Sequence, residues 1–360
     1  MRTESHRRTG QNIFQTKEER VMKRLLFGIA LIVLLAVGLA ACTMPETVVV
    51  EREPDCGETE RYIVSAPLVH PYITAWQGGA EAAAEELGVE IVFLAPAEYS
   101  PEKQLDMTES ALSLPCIAGL SVMTGVPDIM EGILAQAKER GLGTTQNASC
   151  SEAVNADVCM ATDFYTAGAT VAERLVDLMG GEGNVVVAFG EPGNVVDKDR
   201  QAGLEDYFAE HAPDIKVIGV LIDCDNPEGT VRCAEEALVT YPEMDAYYSL
   251  GNLNSVGATV AFPDAGRDDV IVTGVDDAPE IVEGIRNGTV SFTYVQQPYG
   301  QGYLAVYIPW MIKHQGVQAT YQYLDTRIKL VDLSNIDSYQ DTMKQNFLEI
   351  KEIVETEVMQ

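Results

Sequence analysis

The sequence predicts an α/β protein folded as two Rossmann-like, doubly wound lobes. Short apolar runs of strand length alternate with segments of helical period from residue 61 almost to the C-terminus. Strand–helix–strand repetition of this kind builds a parallel sheet with helices on both faces. Roughly ten such units are present, more than one open sheet holds comfortably, so two lobes are expected. A (β/α)8 barrel is the structural alternative.

The elements follow in order. Residues 62–66 form a short apolar strand. Residues 71–87 have helical spacing and stop at Gly88, where a left-handed backbone ends the helix. Residues 89–94 are a strand, and Ser100-Pro101 opens a helix with an N-cap followed by proline at the first helical position. A strand over 116–122, a helix over 128–140 ended by Gly141, and a strand over 142–145 complete the first half. In the second half, helices over 164–179, 199–211, 252–262, 279–286 and 298–314, and one running from Asn226-Pro227 to about 239, are expected. They alternate with strands over 184–189, 215–221, 246–250, 270–275, 290–295 and 327–331, and a terminal helix covers 337–358.

One segment stands outside this pattern. Residues 25–41 carry no charge and follow Lys23 and Arg24. A basic stretch ahead of a short apolar one is a secretory signal, too short to span a membrane comfortably. It ends in Leu39-Ala40-Ala41-Cys42, which resembles the lipobox of bacterial lipoproteins, where cleavage before the cysteine leaves its thiol to carry a lipid. A plain signal peptide is the alternative. Residues 1–21 are polar and precede the signal, which points to translation from Met22. Residues 42–60, rich in Thr, Glu and Pro, are a linker from the lipid anchor to the folded part. The chain is therefore expected outside the cytoplasm, tethered to the bacterial membrane.

The 360 residues carry 24 Lys and Arg against 55 Asp and Glu, a net charge of −31. Polyanion binding requires clustered cations, so nucleic acid is excluded as a partner. Seven cysteines less the lipidated one leave an even number in an exported chain, and export permits disulfides. Proximity favours Cys150–Cys159 and Cys224–Cys233, leaving Cys56–Cys116; reduced, buried thiols are the alternative. No cysteine or histidine spacing fits zinc, so no metal is expected.

Enzyme signatures are missing. A nucleophile elbow at Ser255 fails because Leu253 stands where glycine is needed. There is no Walker loop and no H-E-x-x-H, and Gly180-Gly181-Glu182-Gly183 reads as a turn between a helix end and a strand. Four histidines are too few to offer an obvious triad, and no cofactor is implied. Polar residues instead recur just after strand C-termini, where open α/β sheets bind ligands: His70, Asn147, Asp163, Asn252 and Asp276, with Gln296 ending its strand and Arg200 early in a helix.

These residues resemble the type I periplasmic binding proteins for simple sugars, the ribose- and galactose-binding group. His70-Pro71-Tyr72 follows the first strand, and Arg200-Gln201-Ala202-Gly203-Leu204 supplies an arginine before glycine and an apolar residue. Gly274-Val275-Asp276-Asp277, Gln296-Gln297-Pro298, and the tail from Leu324-Asp325-Thr326-Arg327 through Asn335-Ile336-Asp337 complete the likeness, which covers about residues 61–340.

The resemblance implies two lobes joined by a three-crossover hinge, closing on a sugar delivered to ABC permease subunits by a monomeric protein. It places 61–161 plus 297–325 in the N-terminal lobe and 162–296 plus 326–360 in the C-terminal lobe and tail. Tyr72 is expected to stack on a sugar face, with Trp76 a possible second stack. Asn147, Asp163, Arg200, Asp276 and Gln296 are expected to bind hydroxyls, with His70 and Asn252 as second choices. The chain departs from the family in three places: Asn147-Ala148 replaces an Asp-Arg pair, Gly251-Asn252 replaces Asn before Asp, and an aromatic near Asp225 is absent. These departures set the chain apart from the ribose binders and leave a small polar ligand as the expectation. The rival readings are a ligand-presenting sensor for a signalling receptor and an exported α/β enzyme.

Overall fold

The computed structural model describes residues 59–148, 150, 156–190, 194–320 and 323–360. The leader, Cys42, Cys56 and all of the linker except its last two residues lie outside the described residues.

The first lobe begins with β1 (Arg61–Ser65), α1 (Pro71–Leu87), β2 (Glu90–Leu94), α2 (Pro101–Leu112) and β3 (Ile117–Thr124). A 3₁₀ turn (Pro127–Met130), α3 (Glu131–Glu139), β4 (Gly143–Ala148) and β5 (Val158–Ala161) follow. The caps act as the sequence leads one to expect. Gly88 ends α1 at φ 70°, and the Ser100 hydroxyl accepts from the Lys103 amide at the start of α2.

The chain then crosses into a second sheet. α4 (Phe164–Met179), β6 (Glu182–Ala188), α5 (Val195–His211), β7 (Asp214–Leu221), α6 (Gly229–Thr240) and β8 (Ala246–Ser249) build its first part. α7 (Asn252–Asp264), β9 (Ile271–Val275), α8 (Pro279–Asn287) and β10 (Phe292–Val295) complete it. The chain returns through α9 (Pro298–Gln315) and β11 (Tyr323–Asp325), crosses again to β12 (Lys329–Val331), and ends in α10 (Tyr339–Ile353) with a wider turn through Val358.

Among the described residues, each sheet has six strands. The first runs β11-β5-β4-β3-β1-β2, all parallel; the second runs β12-β10-β9-β8-β6-β7, parallel apart from the antiparallel edge β12. Helices cover both faces of each sheet. α1 and α9 pack on one side of the first, through Trp76, Ala80, Leu304 and Ile308, and α2 and α3 on the other, through Leu112 and Leu134. α6–α8 and α4–α5 do the same for the second. Two separate sheets exclude the barrel. Among the described residues, three connections pass between the sheets: near 162–163, 296–297 and 326–328.

Four local expectations change. β5 and β11 were not visible as strands, because four and three residues are too few to show a period. α5 starts at Val195 rather than 199, because the Asn194 carboxamide oxygen accepts from the Val196 amide at 3.0 Å and caps it. The expected helix over 128–140 divides into the 3₁₀ turn and α3. The expected terminal helix begins at Tyr339.

Disulfides join Cys150–Cys159 and Cys224–Cys233, each with Cα atoms 5.8 Å apart, a span natural to such bonds. Cys116 is also disulfide-bonded.

Candidate functional site

The C-terminal ends of both sheets open on one cavity of roughly 150 Å³, between the lobes. Its two walls differ in chemistry. The first lobe contributes Pro67, Leu68, His70, Tyr72 and Ile73 from the β1–α1 segment, with Tyr99, Met123, Thr124 and Gly125. The second contributes a polar set: Asp197, Arg200, Asp225, Asn252, Asp276 and Gln296, beside Phe164, Leu250 and Val275.

Arg200 is the centre of that set. It is 5% exposed, and α5 presents it against α4, where a Cβ on Gly168 would collide with the Arg200 carbonyl oxygen. Its Nη1 donates to the Leu250 carbonyl at 2.7 Å and lies 3.4 Å from Asp197 Oδ1, one turn earlier on the same helix. Nη2 reaches Gln296 Oε1 at 3.5 Å. The guanidinium carbon sits 4.7 Å from the Phe164 ring centroid and 5.5 Å from that of Tyr294. Burial works against the charge, but Tyr294, Asp197, Tyr248 and Asp276 outweigh it and hold the pKa above the ordinary value. Its Nε, though buried, has no protein partner.

Gln296 couples the centre to the hinge. Its Nε2 donates to Asp276 Oδ1 at 3.0 Å, and its Oε1 also accepts from the Thr162 hydroxyl at 3.4 Å, beside the first crossover. Asp276 follows β9 with φ 65°, a left-handed backbone that aspartate tolerates and that is common at ligand sites. Burial pushes its carboxyl up to about 7 against the lowering effects of Gln296 and Arg200, with Asp277 and Asp225 adding to the rise. Asn252 begins α7 and donates through Nδ2 to the Val275 carbonyl at 3.2 Å, while its buried Oδ1 is unpartnered.

On the opposite wall His70 caps α1, its Nδ1 accepting from the Tyr72 amide at 3.2 Å. Burial depresses the imidazole pKa more than Asp225 raises it. The Tyr72 hydroxyl donates to Gln301 Oε1 at 2.7 Å, so its ring faces the cavity with its polar end engaged elsewhere.

Six expected residues thus meet here: His70, Tyr72, Arg200, Asn252, Asp276 and Gln296. Three do not line the cavity. Trp76 is fully buried in the first lobe's core against Phe93. Asn147 lies buried within β4, with Nδ2 3.5 Å from the Thr145 hydroxyl. Asp163 caps α4, accepting from the Thr166 amide and hydroxyl at 2.9 and 2.7 Å.

Asp197, Phe164 and Asp225 escaped the sequence reading. The i, i+3 spacing from Arg200 carried a signal for Asp197. Phe164, beside a capping aspartate, reads as any helix-face aromatic, and Asp225 is marked in the sequence only by the close cysteine pair and by the family aromatic missing near it, neither of which points to a carboxylate in the cavity.

Chemically, the cavity offers hydrogen-bond donors and acceptors, most of them on the second lobe's wall, and ring faces from both lobes. Two parallel-sheet lobes, three connections between them and a polar cavity at the hinge define a two-lobed α/β binding protein. The chain belongs to the periplasmic binding proteins: residues 62–314 match the family model described as "Periplasmic binding protein domain". It is 27% identical over 247 residues to the D-apiose import binding protein of Actinobacillus succinogenes, covering 68% of this chain and 78% of that one. The xylitol-binding protein of Mycolicibacterium smegmatis is 23% identical over 266 residues, covering 73% of each chain. In fold, the chain is similar to an ABC transporter solute binding protein from Burkholderia graminis solved with D-arabinose. That match has a TM-score of 0.72 and 24% identity, and covers 78% of this chain and 97% of the other.

Proposed function

We propose that this protein captures a simple sugar or polyol between its lobes and delivers it to an ABC importer. The observation that carries the reading is the convergence of Arg200, Asn252, Asp276 and Gln296 at the hinge, with the buried Arg200 Nε and Asn252 Oδ1 unpartnered. Buried polar atoms without partners cost stability unless a ligand supplies them. A sugar does so through hydroxyls that both donate and accept, while its C–H faces meet Tyr72 and Phe164. Binding makes and breaks no covalent bond, so no cofactor enters.

Residues 61–161 with 297–325 form the first lobe in this reading, and 162–296 with 326–360 the second lobe and a tail whose end packs into the first lobe's core. Residues 1–41 are the leader, and Cys42 carries the lipid that anchors the monomeric protein to the outer face of the membrane. Sugar-import relatives support delivery to a permease; the lipobox-like Leu39-Ala40-Ala41-Cys42 supports the anchor.

The experiment is thermal unfolding of residues 43–360 against D-ribose, D-arabinose, D-apiose, D-allose, xylitol and their epimers. A ligand at ~100 times its Kd stabilises the folded state by about 2.7 kcal/mol, a shift of several degrees in Tm. Arg200→Ala should abolish the shift. No shift with any sugar overturns the sugar reading. For the anchor, a full-length Cys42→Ser chain should leave the membrane fraction; retention there contradicts lipidation at Cys42.

A further inference from the structure

We infer that His70 and Asp225 together form a hydroxyl-specific clamp across the cleft: one ligand hydroxyl sits between them, bound by both lobes at once. The inference rests on the proposed function and deepens it, adding Asp225 to the ligand contacts and assigning His70 a defined partner.

The geometry of the gap is the starting point. His70 Nε2 and Asp225 Oδ2 face each other at 3.9 Å, from opposite walls of the cavity. That is too long for a direct hydrogen bond. His70 Nε2 is buried and has no protein partner. Its proton is assigned by the other ring nitrogen: Nδ1 accepts from the Tyr72 amide, so the neutral imidazole carries its hydrogen on Nε2. The gap is therefore lined by an N–H donor on one side and a carboxylate acceptor on the other.

Asp225 is fixed, which makes the gap a built feature. Its Oδ1 accepts from the Leu253 amide at 2.7 Å and the Asn254 amide at 3.4 Å, at the start of α7. A Cβ on Gly251 would run into the Asp225 carboxylate, so that glycine allows the close approach. The preceding residue is tied by the Cys224–Cys233 disulfide. The following one, Asn226, accepts from the Glu228 and Gly229 amides at 3.1 and 2.8 Å and donates to Asp223. With Oδ1 engaged by α7, Oδ2 is the oxygen left for the cleft.

A hydroxyl answers both sides together: its oxygen accepts from His70 Nε2–H while its proton goes to Asp225 Oδ2. A C–H at that ring position answers neither and leaves both groups unpaired; an ammonium answers only the carboxylate. The clamp thus discriminates a hydroxyl from its deoxy counterpart at one position of the ligand.

The test uses residues 43–360, Asp225→Asn and His70→Asn, and isothermal titration. The ligands are whichever of D-ribose, D-arabinose, D-apiose, D-allose or xylitol binds the unmodified protein, and its complete set of monodeoxy analogues. The carboxamide introduced by Asp225→Asn retains an oxygen for the α7 amides but turns an N–H toward His70. The shorter side chain introduced by His70→Asn retains the α1 cap but does not reach the gap. In the unmodified protein one deoxy analogue should bind about 10- to 100-fold more weakly than its parent through this position, the worth of one or two hydrogen bonds, one of them to a charge. Each variant should weaken parent binding by a similar factor and leave that analogue's affinity unchanged, so their affinity ratio falls toward one. Affinities that the variants leave intact, or that drop equally for the parent and every analogue, overturn the clamp while the sugar reading stands. Failure of every sugar to bind the unmodified protein overturns both.

Discussion

Asp276 combines two properties that pull apart: a buried carboxyl raised to about 7 and a place in the lining of the cavity between the lobes. Its folded pKa lies above the unfolded value near 4, so the folded state holds this proton more tightly. The associated stability is fully present below about pH 4 and is lost as pH rises through about 7. Asp276→Asn removes the titration and keeps an oxygen for Gln296. The unliganded variant should therefore match the parent near pH 4 and exceed it increasingly toward pH 8, by about 1–3 kcal/mol, while losing most of its sugar affinity. Denaturant melts at several pH values check this; a difference that does not grow with pH contradicts the buried, proton-retaining carboxyl. At this scale the sequence was informative where a residue type and a strand end coincided. Asp276 and Gln296, picked out at strand ends, line the cavity, as does Arg200, picked out by its place early in a helix. Asp163 and Asn147 also lie at or near strand ends, yet one caps a helix and the other is buried within its strand, away from the cavity lining, with its Nδ2 near the Thr145 hydroxyl and its Oδ1 unpartnered. Which way a side chain turns depends on neighbours far along the chain, such as Gln296 for Asp276, and local pattern does not encode them.

Elements hold these residues in place through close helix contacts. α4 and α5 cross where Gly168 faces the backbone of Arg200 and Gly203 faces that of Tyr165, so each helix offers the other a glycine. Gly168→Ala forces the backbone that carries Arg200 outward. We predict a loss of about 1–3 kcal/mol in unfolding free energy, the usual cost of overpacking, and at least a tenfold loss of ligand affinity. Gly78→Ala, at a helical glycine with open space around it, is the control and should change neither by a comparable amount. Equal behaviour of the two variants would show that the crossing does not position the arginine. The elements themselves were largely legible, because caps such as Gly88 and Ser100 and long periodic helices are local facts. β5 and β11 were not: each is a strand of only four or three residues fixed by its neighbours, β5 by β4 and β11 by β5, Tyr323 standing opposite Cys159 across a long stretch of intervening chain.

The whole molecule adds a strut to the three connections. α10 leaves the second lobe, where Tyr339 and Met343 join its core and the Tyr339 hydroxyl donates to Asp277 at 3.0 Å. Its far end lies in the first lobe's core through Ile350 and Val354, followed by Val358 and Met359. Midway, the Met343 carbonyl accepts from Gln297 Nε2 at the second crossover, and Lys351 lies over the Tyr303 and Tyr307 rings at 4.6 and 4.7 Å. A helix seated in both lobes resists hinge opening, and His70 and Asp225 stand 3.9 Å apart across the cleft. Release of its far end should move the population toward open forms, and the apparent affinity falls by the fraction of closed form lost. Ile350→Ala with Val354→Ala weakens that seat by removing buried apolar volume. The unliganded double variant should show a larger radius of gyration in small-angle scattering than the parent. Saturating sugar should bring both to the same value, with the variant needing about tenfold more ligand to reach it. An unliganded radius equal to the parent's would mean that the three connections alone set the hinge angle, and that α10 merely covers the first lobe's core.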